Sequence, residues 1–257
     1  HVLDSAPKKD FAFEGRLVIN SDIPDDLHIR AGAGIEVNGD VGASVLETAG
    51  DIRIRNLYGK GLSVMKCGGV FQAESVFDAF VESGGEIKVG DSMKSSLKSS
   101  SSIHAGSFIG GEAIAKNKVH IKKAGAPNHL ETHISASLDF KVSDRIAEIK
   151  ARVAQIYDEL SILHKHLGAY AHDIEEAYSI KDTKKREKVL DMAVKKIGLE
   201  HAVKTKLEEE LRRLNSEIIS APESEICVDD ILLNGVIVEI GHISKRLDND
   251  VKGPLGI

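Results

Sequence analysis

His104 and His120 each follow a β-branched residue, Ile103 and Val119, and stand 16 residues apart in similar settings, I-H-A-G and V-H-I-K. Imidazoles titrate near neutral pH and serve as general bases, metal ligands or pH-dependent contacts. If this spacing is one period of a repeat, the two rings stack on one outer face in a column with Glu36, Arg53, Gln72 and Lys88. Such a column is either a partner- or ligand-binding stripe or a solvated face whose mixed charges pair across strands; the mixture of signs favours the second. The stretch His129-Leu130-Glu131-Thr132-His133 sets zinc-compatible ligand types on one side of a strand. Its two imidazoles would lie about 13 Å apart there, too far to share one ion. His164 and His166 fall on the flank of a helical pattern and read as exposed. A group of cations, Lys181, Lys184, Lys185, Arg186 and Lys188, could dock an acidic partner. The glycines of AGAGIEVNG at 31–39 lack GxGxxG spacing and a following helix, and no GxSxG, P-loop or Cys-His nucleophile pattern occurs. No catalytic, cofactor-binding or metal residue is therefore assigned. The candidate partner-binding residues are Lys184, Lys185, Arg186, Lys188, His104 and His120.

The element that would position the two histidines is a repeat. Apolar-x-apolar pairs recur at Leu17/Ile19, Ile35/Val37, Ile52/Ile54, Phe71/Ala73, Ile87/Val89, Ile103/Ala105 and Val119/Ile121, in steps of 18, 17, 19, 16, 16 and 16 residues. A second apolar column (Val41, Leu57, Val76, Met93, Phe108) and a third (Val45, Leu62, Phe80, Leu97, Ile114, Leu130) lie between them. Alternation with period two marks strands buried on one face. Three such segments per period predict a triangular parallel β-solenoid, its seven rungs rising about 4.8 Å each to give a rod about 30 Å long. The pairs Gly68-Gly69, Gly84-Gly85 and Gly110-Gly111 mark corners, where positive φ is expected.

Composition fits this reading and restricts the function. Trp is absent and aromatics make up 4% of the chain, as expected where inward positions need stackable Ile, Val and Leu. A net charge of −6 gives no electrostatic footprint for nucleic acid. Two cysteines are too few to staple 257 residues, so a reducing cytoplasm is the expected compartment. The longest apolar run, ILLNGVIVEI at 231–240, is too short to span a bilayer, so no membrane insertion is expected. The chain opens on His1 rather than Met, which reads as a piece of a longer protein.

From Val142 the apolar period becomes three-and-four. Ile146, Ile149, Val153, Ile156, Leu160, Leu163, Leu167, Tyr170 and Ile174 form an a/d seam, with Ser143 as N-cap. A second helix is predicted from about Lys184 to Ser220, ended by Pro222, with a seam of Ala193, Ile197, Leu207, Leu211, Leu214 and Ile218 in which Glu200 and Lys204 occupy two positions. Two such helices, joined by SIKDTKK, predict an antiparallel coiled-coil hairpin with arms roughly 50 Å long. Alternation then returns at Ile226/Val228, Ile231/Leu233 and Val236/Val238/Ile240. These strands are too few for a domain, so they are expected to rejoin the solenoid and complete or cap its last rungs. The predicted division is 14–141 with 222–245 as a discontinuous β-domain, 142–221 as an inserted hairpin, and 1–13 and 246–257 as tails.

The order of rungs ending in SIHAGSFIGGEAIA, an ETHI strand, a long coiled-coil hairpin and a closing ILLNGVIVEIG resembles the flagellar assembly protein A (FapA) family, from about residue 14 to 245. The resemblance implies a right-handed β-helix of a polymer-forming bacterial group. It also implies a noncatalytic cytoplasmic role in flagellar assembly or localisation at the cell pole. Independently of the resemblance, the two strand-pairing ends of a solenoid and the side surface of a long hairpin lead to the expectation of a scaffold that self-associates and binds a protein partner. The competing expectation is a β-solenoid enzyme, an acyltransferase or a polysaccharide-acting one, using the outer-face histidines. The wandering rung length opposes the first, and the missing groove of carboxylates and arginines opposes the second.

Overall fold

The computed structural model describes residues 1–127, 130–136, 139–171, 175–219, 224–241 and 243–256, the side chains of 143, 204 and 217–219 excepted. The expectations resting on His129, Ile174, Pro222 and the side chains of Ser143, Lys204 and Ile218 lie outside the described residues. The chain divides into two compact units, His1–Lys141 with Ala221–Ile257, and Val142–Ser220.

The first unit is a β-solenoid of about 8 turns. Its strands form three parallel stacks. In one, Leu17, Ile35, Ile52, Phe71, Ile87, Ile103, Val119 and Ile226 are successive register partners. All are at most 2% exposed, so this inward column is the one the repeat predicts. The other two columns differ from the expected ones. Along one turn the inward residues are Phe71, Ala73, Val76, Ala79, Val81 and Ser83. The alternation of two is broken by steps of three at Val76 and Ala79, so the parity of inward residues changes at the corners. At the second corner a residue takes the left-handed conformation, Asp78 at φ 49° and Lys94 at φ 52°. A change of parity by one residue exchanges faces. The third inward column is therefore Leu46, Met65, Val81, Leu97, Ala113 and Ile134, while Leu62 and Phe80 point outward. In the second column Ser92 sits inward between Val76 and Phe108, and Met93 faces out.

The glycine pairs also act differently from expectation. Gly110 and Gly111 have positive φ, but Gly68, Gly69, Gly84 and Gly85 do not. Their constraint is close approach between turns: a Cβ on Gly84 would lie 2.5 Å from the carbonyl oxygen of Gly68.

Both expected tails contribute strands. Val2–Leu3 and Phe11–Phe13 pair in parallel with Val18–Ile19 and Ile29–Ala31 and begin the first turn. At the other end, Ile243–Arg246, Val251–Lys252 and Leu255–Gly256 pair antiparallel with the last turn and cover its exposed backbone. Lys245 and Arg246 put charge on the remaining edge, a common guard against strand addition.

The second unit is helical. Its first helix, Phe140–Leu167, starts where the Asp139 carboxylate accepts from the Lys141 amide, four residues before the N-cap expected at Ser143. It stops at Gly168, whose φ of 56° is the left-handed C-terminal signal, before the predicted seam ends. Asp182 caps the helix Thr183–His201 by accepting from the Lys184 and Lys185 amides. A π-helical segment, Ala202–Leu207, joins it to the helix Glu208–Ile219. Val203, at the start of this segment, is buried, and Ile197, assigned to the seam, is 54% exposed. One apolar cluster joins Ile146, Ile149 and Leu214, and another joins Leu167, Ala171, Val189 and Ala193. Among the described residues no helix is long and apolar enough to cross a membrane.

Candidate functional site

Strands Ile87–Ser99, Ser102–Ala115, Lys118–Ala124 and Glu225–Leu232 lie in register, so that Lys88, His104, His120 and Cys227 form an outward column. It continues through Gln72, Arg53 and Glu36, the order that the sequence repeat implies. The His104 and His120 rings meet edge to face, with centroids 5.5 Å apart. Each has a carboxylate at its Nε2: Glu86 Oε1 at 2.9 Å for His104 and Asp229 Oδ1 at 2.9 Å for His120. Glu86 also receives Lys88 Nζ at 2.7 Å. Together with Gln72 these residues line a surface depression of about 630 Å³.

Burial pushes the His104 pKa below its ordinary value, and this outweighs the opposing pull of Glu86. A neutral His104 donating Nε2–H to Glu86 is the form this setting favours. Burial likewise raises the Cys67 and Cys227 thiols, with a further upward push on Cys227 from Glu225. Neither sulfur is a thiolate at neutral pH, so neither is poised as a nucleophile.

His133 is also outward, with its Nε2 3.0 Å from Glu239 Oε2, while Thr132 beside it is buried. Among the described residues no group of three His, Cys, Asp or Glu side chains converges in a way that could hold a metal ion. Lys184, Lys185 and Lys188 are exposed and Arg186 half-buried, all within the first two turns of the helix Thr183–His201. They belong to the helical unit and His104 and His120 to the solenoid, so they are two separate sets.

The sequence reading did not identify the carboxylate partners or an outward apolar ladder. Tyr58, Phe77, Met93 and Ile109 are consecutive register partners on the second stack. The 16-residue spacing of the last three, the same as that of His104 and His120, was the available signal. It was obscured because Met93 is apolar and Ser92 polar, which suggests the wrong parity.

A search of curated proteins and a search of solved structures each returned no match. A protein-family model described as the Flagellar Assembly Protein A beta solenoid domain matches residues 10–255. That match takes in the stacked turns, the helical unit and the antiparallel closing strands, and the chain belongs to the flagellar assembly protein A (FapA) family.

Proposed function

We propose that this chain is a noncatalytic scaffold of flagellar assembly that works in the cytoplasm, at the cell pole, by self-association and by binding another protein. The observation that carries the reading is the family match over residues 10–255. The outward histidines pair with carboxylates of neighbouring turns just as the other outward charges of the solenoid do, as expected of a solvated face. Both thiols are shifted upward, away from the activated range.

In this reading the solenoid is a right-handed coil and the helical unit an antiparallel coiled-coil hairpin. The two apolar clusters shared between the first helix and the later helices support the hairpin, as does the ion pair of Arg145 with Glu210 at 2.9 Å. The basic residues are the partner-binding group. Lys184 and Lys185 occupy a helix N-terminal turn, where the macrodipole disfavours cations. Helix stability does not account for them there, and an acidic partner does.

The experiment is a pull-down from the source cell with the wild-type chain and a Lys184→Ser/Lys185→Ser/Arg186→Ser variant, alongside light scattering over a range of concentrations. A protein captured by the wild type and lost by the variant supports the reading. Turnover of an acyl donor or a polysaccharide that disappears in His104→Ala or His120→Ala would overturn it.

A further inference from the structure

The outward ladder of Tyr58, Phe77, Met93 and Ile109 crosses four successive turns of the solenoid. Tyr58 is 45% exposed and Met93 38%, and the Tyr58 and Phe77 rings stack at 5.5 Å. Leu62 and Phe80, also exposed, extend the apolar surface around the adjoining corner. Outward positions elsewhere on the solenoid are mostly charged or polar, and many form ion pairs between turns. Phe77 and Ile109 are half-buried, so the ladder is an apolar strip that is partly open to solvent, and such a strip marks an interaction surface.

The charges beside the strip indicate what covers it. Asp78 and Lys94 directly follow Phe77 and Met93, hold equivalent corner positions on adjacent turns, and are both exposed. Neither is in an ion pair among the described residues. A two-fold axis perpendicular to the direction of stacking, passing between these two turns, exchanges them. It sets Phe77 over Met93 of a second copy and Tyr58 over Ile109 of that copy. The same rotation brings Asp78 opposite Lys94 of the second copy, and Lys94 opposite its Asp78. An anion and a cation on neighbouring turns are thus self-complementary under the symmetry that closes a dimer.

We infer that this face is the contact through which the chain pairs with a second copy of itself, in a two-fold dimer. This rests on the self-association proposed above and names its surface. Four turns at about 4.8 Å give a strip roughly 14 Å long. That is the small end of protein interfaces, so the dimer is weak and reversible, forming in the micromolar range or above.

Sedimentation velocity of the full chain at low salt, over a wide concentration range, tests it. Asp78→Lys and Lys94→Asp each place like charges opposite one another at two symmetric contacts and should weaken the dimer by at least about tenfold. An equimolar mixture of the two variants restores every opposite-sign pair, so association should return. Met93→Glu, at an exposed position, should abolish association independently of the charge pair. Association that is indifferent to all three substitutions would overturn this surface while leaving self-association standing. A wild-type chain that sediments as a monomer throughout would overturn both.

Discussion

His120 Nε2 lies 2.9 Å from Asp229 Oδ1, although the two residues are 109 positions apart in the chain. The pair joins the strand Lys118–Ala124 to Glu225–Leu232, the first strand after the helical unit. Among the described residues it is one of four such links, with Lys118–Glu225, Lys123–Asp230 and His133–Glu239. The lysines and histidines are on the outgoing side and the carboxylates on the returning side. The returning strands are thereby matched by charge as well as by apolar register. These groups are largely exposed, so each pair contributes little. The double change Asp229→Asn/Glu239→Gln should lower the thermal midpoint by no more than about 2 °C near physiological salt, and the difference should close in high salt. A larger, salt-independent loss would mean that these side chains act through packing.

Ile52 and Arg53 are neighbours on opposite faces of one strand, Ile52 fully buried and Arg53 exposed. Ile52→Asp buries an unpaired charge and should cost several kcal/mol. Arg53→Ser should change chemical denaturation by less than about 0.5 kcal/mol. Equal effects would contradict the register.

Ser92 occupies an inward position between Val76 and Phe108, and its hydroxyl finds no hydrogen-bond partner. A buried hydroxyl without a partner retains its desolvation cost. Ser92→Ala should therefore stabilise the protein by about 1 kcal/mol. A loss of that size in urea titration would reveal a partner for the oxygen, such as a buried water.

Two glycines should respond to the same substitution in opposite directions. Gly84→Ala drives a Cβ to within 2.5 Å of the Gly68 carbonyl oxygen, inside a continuous stack of turns, and should destabilise by more than about 2 kcal/mol. Gly198 lies inside a helix, and beyond its chain neighbours and the nearby helix backbone nothing comes within 4 Å of an added Cβ, so Gly198→Ala should stabilise its unit by roughly 0.5–1 kcal/mol. Calorimetry of both variants checks the pair.

His104 gives a pH dependence of known sign. Burial lowers its pKa in the folded state below the ordinary value of 6.5. Above that value the ring is neutral in both states and contributes nothing. As pH falls through 6.5 the unfolded chain takes up the proton first, so stability falls until the folded pKa is passed. His104→Gln should remove this part of the loss as pH falls below about 6.5. A wild type that gains stability over that window relative to the variant would show Glu86 to be the stronger influence.

The sequence by itself determined the stacked architecture, the inward column from Leu17 to Val119 and the outward column that carries His104 and His120. Those follow from a period-two pattern repeated at a nearly constant interval, which leaves one face of each strand no alternative. It determined the family as well, through the order of its segments. The parity after each corner was decided only by the tertiary structure. A left-handed residue such as Asp78 or Lys94 adds one position without a change in composition, which is why Phe80 reads as core and lies outside. The phase of the second helix was also a matter of packing: Val189, Ala193 and Val203 are buried while Ile197 is exposed. The partners of the histidines also required the fold. Asp229 and Glu239 are more than a hundred residues from His120 and His133, and only the return of the chain to its own last turn brings those charges together.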